Sequence, residues 1–302
     1  MTSPEPAAKS RSRNDGSALV TVAVVVVIGA LVAWAGSSGA KTAGGLGIHW
    51  WVAAAAFVIN WVAFVPSFAK RTEHYYDLVG SVTYLSTTLL ALVLASPAGA
   101  RGWLLTGLIV IWAGRLGTFL FQRVKAAGKD GRFDAIKQSG PRFLMAWTLQ
   151  GLWVIFTAAA AHAAIASANP EPLGVVAVLG LVVWLIGFAI EVVSDRQKSA
   201  FKADPTNEGR FIGEGLWAWS RHPNYFGEIV LWIGVAIIAV PVLSSWQYLT
   251  LLSPVFVIVL LTRVSGVPAL EARADRRWGG QDDYERYKAN TPVLLPRPPR
   301  SR

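Results

Sequence analysis

Cysteine is absent from the 302-residue chain, which removes disulfides, thiolate nucleophiles, iron–sulfur ligation and the usual structural zinc sites together. Charge is scarce as well. Only 15% of residues are Asp, Glu, Lys or Arg, against roughly a quarter in soluble domains, so the polar shell of a water-soluble globule cannot be built. Four His, at 49, 74, 162 and 222, are too scattered for a metal motif, and no metal is expected. Acidic residues are outnumbered, with 28 Lys and Arg against 18 Asp and Glu. A nucleic-acid partner would need those cations on an exposed polar fold, which this composition does not supply, so no nucleic acid is expected.

What the chain has is apolar length. Hydrophobic residues make up 53%, and apolar segments fall near 18–36, 48–68, 78–97, 103–122, 143–166, 174–193, 226–243 and 247–263. Each is about as long as a bilayer core requires at 1.5 Å per residue. The fold class expected is an all-α integral membrane helical bundle of seven to eight spans. The first segment exceeds a usual signal-peptide core and lacks an A-x-A-like cleavage pattern, so it is read as a retained helix. Residues 1–17 are rich in Pro, Ser and Arg without periodicity and are expected to be irregular. Pro241 and the short Ser244-Ser245-Trp246 link would also suit a hairpin turning back within the membrane. No internal repeat is visible, which gives no support to an inverted-repeat transporter.

The positive-inside rule tests this topology. If all segments cross, the N-terminus and the connections 69–77, 123–142, 194–225 and 263–302 share one side, and they carry 25 of the 28 Lys and Arg. The other side carries Lys41 and Arg101, and Arg115 lies within a span. Both termini are expected in the cytoplasm, with the polar chemistry and a soluble cosubstrate on that side.

Four groups of polar residues stand out. Glu191, Ser194, Asp195 and Lys198 recur at helical intervals at the end of the sixth segment, where a carboxylate in an apolar run is costly and faces a partner or a cavity. Then comes SRHPNYFGE at 220–228, in which Ser220 can cap a helix and Pro223 fits its first turn. Arg221, Asn224, Tyr225 and Glu228 form one stripe there, and His222 lies beside them. A helix start flanked by Arg is a ready phosphate site, while Asn and Glu a turn deeper can hydrogen-bond an amide or hydroxyl. The tail adds Glu271, Arg273, Arg276, Arg277, Trp278, Tyr284, Tyr287 and Lys288. A further group, Arg115, Arg123, Lys129, Asp130 and Arg132, surrounds the fourth segment and its loop.

These strings, with Gly215-Leu216-Trp217 and Tyr284-x-x-Tyr287-Lys288, resemble the C-terminal domain of the steroid 5-alpha-reductase family. Tyr76-Asp77-Leu78, Arg115-Leu116-Gly117 and Gly128-Lys129-Asp130-x-Arg132 extend the likeness to its uncharacterised bacterial membrane relatives. The resemblance implies a reductase that uses cytosolic NADPH to reduce a conjugated carbon–carbon double bond in a lipid-soluble, steroid- or isoprenoid-like substrate. It also implies a bacterial inner membrane with the cofactor site facing the cytoplasm. Asp195, Lys198, Arg221, His222, Asn224, Tyr225, Glu228, Arg273, Tyr284 and Tyr287 would hold the cofactor. The Gln-Glu string with which the reductases activate their substrate has no counterpart here; Glu73, Tyr76, Asp77 and Tyr84 are the nearest candidates for that catalytic role. The expected domains are 1–17, a membrane half at 18–142 shaping a substrate pocket, and a cofactor-binding half at 143–302. RHPNY also resembles the Arg-His-Pro-x-Tyr string of isoprenylcysteine carboxyl methyltransferases, which leaves an S-adenosylmethionine-dependent methyltransferase open. A non-enzymatic lipid-binding or transport protein is the remaining alternative.

Overall fold

The computed structural model describes residues 5–127 and 133–299, with side chains described for 14–122 and 133–299. The Gly128–Arg132 string and the Arg123 side chain lie outside the described residues. Among those described, seven helical stretches are long and apolar enough to cross a membrane, and a bent helix pair makes an eighth. The chain is an all-α integral membrane bundle. Its helices are α1 Glu5–Ser37, α2 Ile48–Ala69, α3 Tyr76–Leu94, α4 Ala100–Ala127, α5 Gly140–Thr157 and α6 Ala159–Ile165. They continue with α7 Val175–Ala203, α8 Pro223–Ala239, α9 Ser253–Val259, α10 Gly266–Trp278 and α11 Asp282–Asn290. α1 opens at Glu5, so residues 5–17, expected to be irregular, continue the first helix. Once past Pro6 that stretch contains Ala, Lys and Arg, all good helix formers.

Two compact units divide the chain. The first comprises Met1–Leu173 and Ala239–Leu251; the second, Gly174–Ile238 and Leu252–Arg302. α5 and α6 therefore belong with α1–α4, whereas the sequence reading groups them with the cofactor-binding half. Their packing explains this: Phe57 and Ala56 of α2, Leu152 and Ile155 of α5 and Val25 and Ala33 of α1 form one buried cluster. α5 and α6 meet at a 55° bend.

One end of the first unit is tied by polar bonds. A two-residue turn at Gly44 and Gly45, both at positive φ, closes the short antiparallel ribbon β1 (Thr42–Ala43) and β2 (Leu46–Gly47), a conformation that suits glycine. Lys41 Nζ donates to the Ala95 and Pro97 carbonyls at 2.6 and 2.8 Å, where the end of α3 leaves acceptors open. Gln247 Nε2 donates to the Gly36 carbonyl, and Ser167 Oγ to that of Val242.

In the second unit α7 and α8 approach closely through glycines spaced seven apart. A β-carbon at Gly187 would stand 2.4 Å from the Leu231 nitrogen, and one at Gly227 would stand 2.6 Å from the Glu191 nitrogen. Small residues are how helices pack tightly in lipid, where no hydrophobic force drives them together. The outward face of α7 exposes Val175, Val178, Leu179, Val182 and Leu185, as a lipid-facing surface should.

Candidate functional site

The polar end of α7 continues the face that α8 packs against. Glu191, Ser194 and Asp195 are buried. The connection to α8 is pinned onto this helix: Trp217 Nε1 donates to the Ser194 carbonyl at 3.0 Å, and Leu216 N donates to Gln197 Oε1. Lys198 Nζ lies 4.2 Å above the Trp217 ring, so this expected cofactor ligand also makes a cation–π contact.

At the start of α8 each residue of Ser220-Arg221-His222 is held by a long-range bond. Ser220 Oγ accepts from His222 N and donates to the Leu294 carbonyl at 2.8 Å. It thus caps the turn before α8, while Pro223 takes the first helical position as expected. The Arg221 backbone N–H donates to the Pro292 carbonyl, and its guanidinium donates to the Lys288 carbonyl at 3.2 Å. Glu271 of α10 bridges the Arg221 and His222 side chains. One carboxylate oxygen is 3.0 Å from Arg221 Nη2 and the other 2.8 Å from His222 Nε2. The remaining polar atoms of the pair, Arg221 Nε and His222 Nδ1, are buried without a hydrogen-bond partner among the described residues. Such buried polar atoms call for an explanation. The His222 ring stacks on Tyr225 at 5.7 Å. Asn224, Tyr225 and Glu228 follow over the first turns of α8, all half-buried.

The tail folds back on this start. Tyr287 OH donates to the Trp217 carbonyl at 2.8 Å, and Tyr284 OH donates to Asp275 at 2.9 Å, to which Lys288 also pairs at 2.7 Å. Phe211 joins both tyrosine rings, at 5.3 Å from Tyr284 and 5.2 Å from Tyr287. Burial raises both phenols above the ordinary tyrosine range, and for Tyr284 the bond to Asp275 adds to this. Lys288 is raised by its bond to Asp275. The two tyrosines expected to hold a phosphate-rich cofactor thus use their hydroxyls to fasten the tail, and Arg273 is exposed on α10. Glu271, not among the expected cofactor ligands, organises the pair that is.

In the first unit the candidate catalytic residues lie on α3 and, for Glu73, in the connection before it. Glu73 is buried and accepts from Lys137 Nζ at 2.7 Å, a bond that raises the lysine. Tyr76 OH donates to the Ala146 carbonyl at 2.9 Å, with its ring against Trp147. Asp77 lies in the first turn of α3. Tyr84, two turns on, is buried edge-on to Trp112 at 5.1 Å. Sequence reasoning missed Gln150, which donates to the Tyr76 carbonyl, and Asn60, which donates to Thr83. Two amides inside apolar helices were the available signal.

Three curated proteins are similar to this chain over limited stretches. "Probable O-methyltransferase ustE" of Ustilaginoidea virens is 30% identical over 107 residues, covering 30% of this chain and 38% of that protein. "3-oxo-5-alpha-steroid 4-dehydrogenase 1" of Rattus norvegicus is 27% identical over 118 residues, 39% of this chain and 40% of its own length. "Uncharacterized protein C594.04c" of Schizosaccharomyces pombe is 24% identical over 164 residues, 45% of this chain and 47% of its own. The chain spans less than half the length of each of these relatives. No solved structure matches. The family described as "Protein of unknown function (DUF1295)" matches residues 63–291, a stretch that takes in α3 through α11 with Glu73, the Arg221–His222–Glu271 group and the tyrosines of the tail. The chain therefore belongs to the DUF1295 family, which is steroid 5-alpha-reductase-like.

Proposed function

We propose that the second unit binds NADPH through its phosphates. The protein would then reduce a carbon–carbon double bond conjugated to a carbonyl in a lipid-soluble, steroid- or isoprenoid-like molecule. One observation carries this reading: Arg221 Nε and His222 Nδ1 are buried at the start of α8 without a partner among the described residues, while Glu271 holds the far side of both groups. A guanidinium N–H and the open N–H groups of a first helical turn together suit a phosphate oxygen. With Nε2 donating to Glu271, a neutral His222 presents Nδ1 as an acceptor, fit for a ribose hydroxyl, and an imidazolium presents it as a donor. A nucleotide offers both partners.

Asn224, Tyr225 and Glu228, with Asp195 and Lys198 of α7, would orient the nicotinamide half. Bound NADPH supplies a hydride, and the chain supplies position and charge stabilisation. A donor to the substrate carbonyl would be drawn from Glu73, Tyr76, Asp77 and Tyr84. The charge distribution supports a cofactor site facing the cytoplasm. The relative whose name is a steroid dehydrogenase supports a nicotinamide cofactor.

The relative named as a probable O-methyltransferase favours a second reading, with S-adenosylmethionine at the same site. Thermal shifts of the detergent-extracted protein separate the two. NADPH should raise the melting temperature more than NADH does, and the gain should shrink as salt rises, since partly exposed charge contacts are screened. A shift with S-adenosylmethionine and none with NADPH would move the assignment to the methyltransferase.

A further inference from the structure

The first unit contains a polar cluster that the proposed reduction leaves unused. His49 lies in the first turn of α2 and His162 in the middle of α6. Both are fully buried, and their ring centroids are 5.9 Å apart. The Thr88 hydroxyl of α3 is 3.1 Å from His162 Nε2, which fixes how that ring is turned and directs Nδ1 away from Thr88. Neither His162 Nδ1 nor either ring nitrogen of His49 has a hydrogen-bond partner among the described residues. The backbone is shaped around the His49 ring, because a β-carbon at Gly36 would stand 2.4 Å from its Nδ1.

Burying an imidazole without a partner is unfavourable, and here three such nitrogens belong to two adjacent rings. Their surroundings define what they would accept. Ala159, Ala160, Ala161, Ala163 and Ala164 flank His162, and all are buried. Ala53 and Ala56 follow His49 on the same face of α2. No charged side chain occurs among the buried residues of α2 or α6, so a charged ligand would find no counter-ion on these helices. A neutral imidazole offers one donor and one acceptor, enough to satisfy a hydroxyl or to give an N–H to a carbonyl.

We propose that His49 and His162 bind the single uncharged oxygen, carbonyl or hydroxyl, of an otherwise apolar lipid. The site lies wholly in the first unit and does not depend on what the second unit binds. Purified full-length protein should be titrated with an isoprenoid ketone of farnesyl length, the matching alcohol, and the hydrocarbon of the same skeleton, read by tryptophan fluorescence. The two oxygenated probes should bind at least about tenfold tighter than the hydrocarbon, because a site built for an oxygen is left unpaired by the analogue without it. His49→Phe and His162→Phe should each bring that ratio close to one, while His49→Gln, which keeps a donor and an acceptor, should retain most of it. Gly36→Ala keeps both histidines but displaces the ring, and it should also reduce the preference, which holds the test open if a Phe variant fails to fold. Equal binding of the three probes by the wild type, or an undiminished preference in His49→Phe, would overturn the proposal. So would a wild type that binds none of them while His49→Phe is at least as stable, the behaviour of a pair served by water alone. The NADPH shift measured on the same samples keeps the two readings apart: its absence in the wild type would refute the cofactor assignment and leave the lipid comparison standing.

Discussion

Replacing Glu271 by Gln separates the two things this carboxylate does. Its oxygens accept from Arg221 at 3.0 Å and His222 at 2.8 Å, with the Glu271 side chain 22% exposed and that of Arg221 12%. Gln keeps one acceptor oxygen but turns an NH2 toward the second donor. At least one charge-assisted bond is lost, worth about 1.5–3 kcal/mol in such a partly buried setting. At roughly 2–4 °C per kcal/mol for a chain of this size class, the apo protein should melt about 3–12 °C lower. Arg221 would not be set loose, because the Lys288 carbonyl and the Pro292 carbonyl still hold it.

Nucleotide binding should move the opposite way. A phosphate on Arg221 Nε would lie on the order of 6 Å from the Glu271 charge, a repulsion of about 3 kcal/mol at an effective dielectric of 20. Halved for solvent, that is close to one decade of affinity. Glu271→Gln should therefore bind NADPH about tenfold more tightly at low ionic strength, measured by calorimetry, and the gain should fade in high salt. An unchanged dissociation constant would place the phosphate elsewhere. A tenfold loss would mean that Glu271 acts chiefly by aiming Arg221 and His222, and the electrostatic reasoning would fail.

Three other outcomes follow from the same geometry. The half-buried Tyr287 phenol is raised, so the folded state keeps its proton where the unfolded chain has lost it. The stability this gives is complete below about pH 10 and declines above it, by up to about 1.4 kcal/mol per pH unit for one proton; Tyr287→Phe should start lower, having lost the bond to Trp217, but fall less steeply, and parallel slopes would refute it. Single cysteines at Gly45, Ala100 and Asn169 should react with an impermeant thiol reagent from outside intact cells and one at Asn207 should not; outside labelling at Asn207 would reverse the topology. Gly187→Ala places a methyl 2.4 Å from the Leu231 nitrogen and should cost about 1–3 kcal/mol, whereas Gly174→Ala, with nothing within 4 Å, should melt like the wild type; equal melting of the two variants would remove the α7–α8 packing argument.

How much of this was legible in the sequence depended on range. Hydropathy and length locate the spans because a bilayer imposes one requirement on each segment separately. The start of α8 was legible for a similar reason: Pro at the first helical position is local chemistry, and Pro223 takes it. The bend between α5 and α6 was not legible, since nothing in Thr157-Ala158 distinguishes it from its neighbours, and the grouping of that helix pair with α1 and α2 is decided by Phe57, Leu152 and Ile155 meeting across the unit. Side-chain partners were the least accessible. Arg221 and His222 suggest a phosphate site through their place before a helix, yet the residue that uses two of their donors, Glu271, sits in a basic helix where a carboxylate looks like ordinary surface. Tyr284 and Tyr287 announced polar contacts but not whether a ligand or the chain itself would receive them. Had their hydroxyls been open and Arg221 Nε engaged, the same motif would have pointed to a different site. The functional assignment therefore turns on which polar atoms long-range packing leaves unsatisfied, a property of the fold that no local pattern encodes.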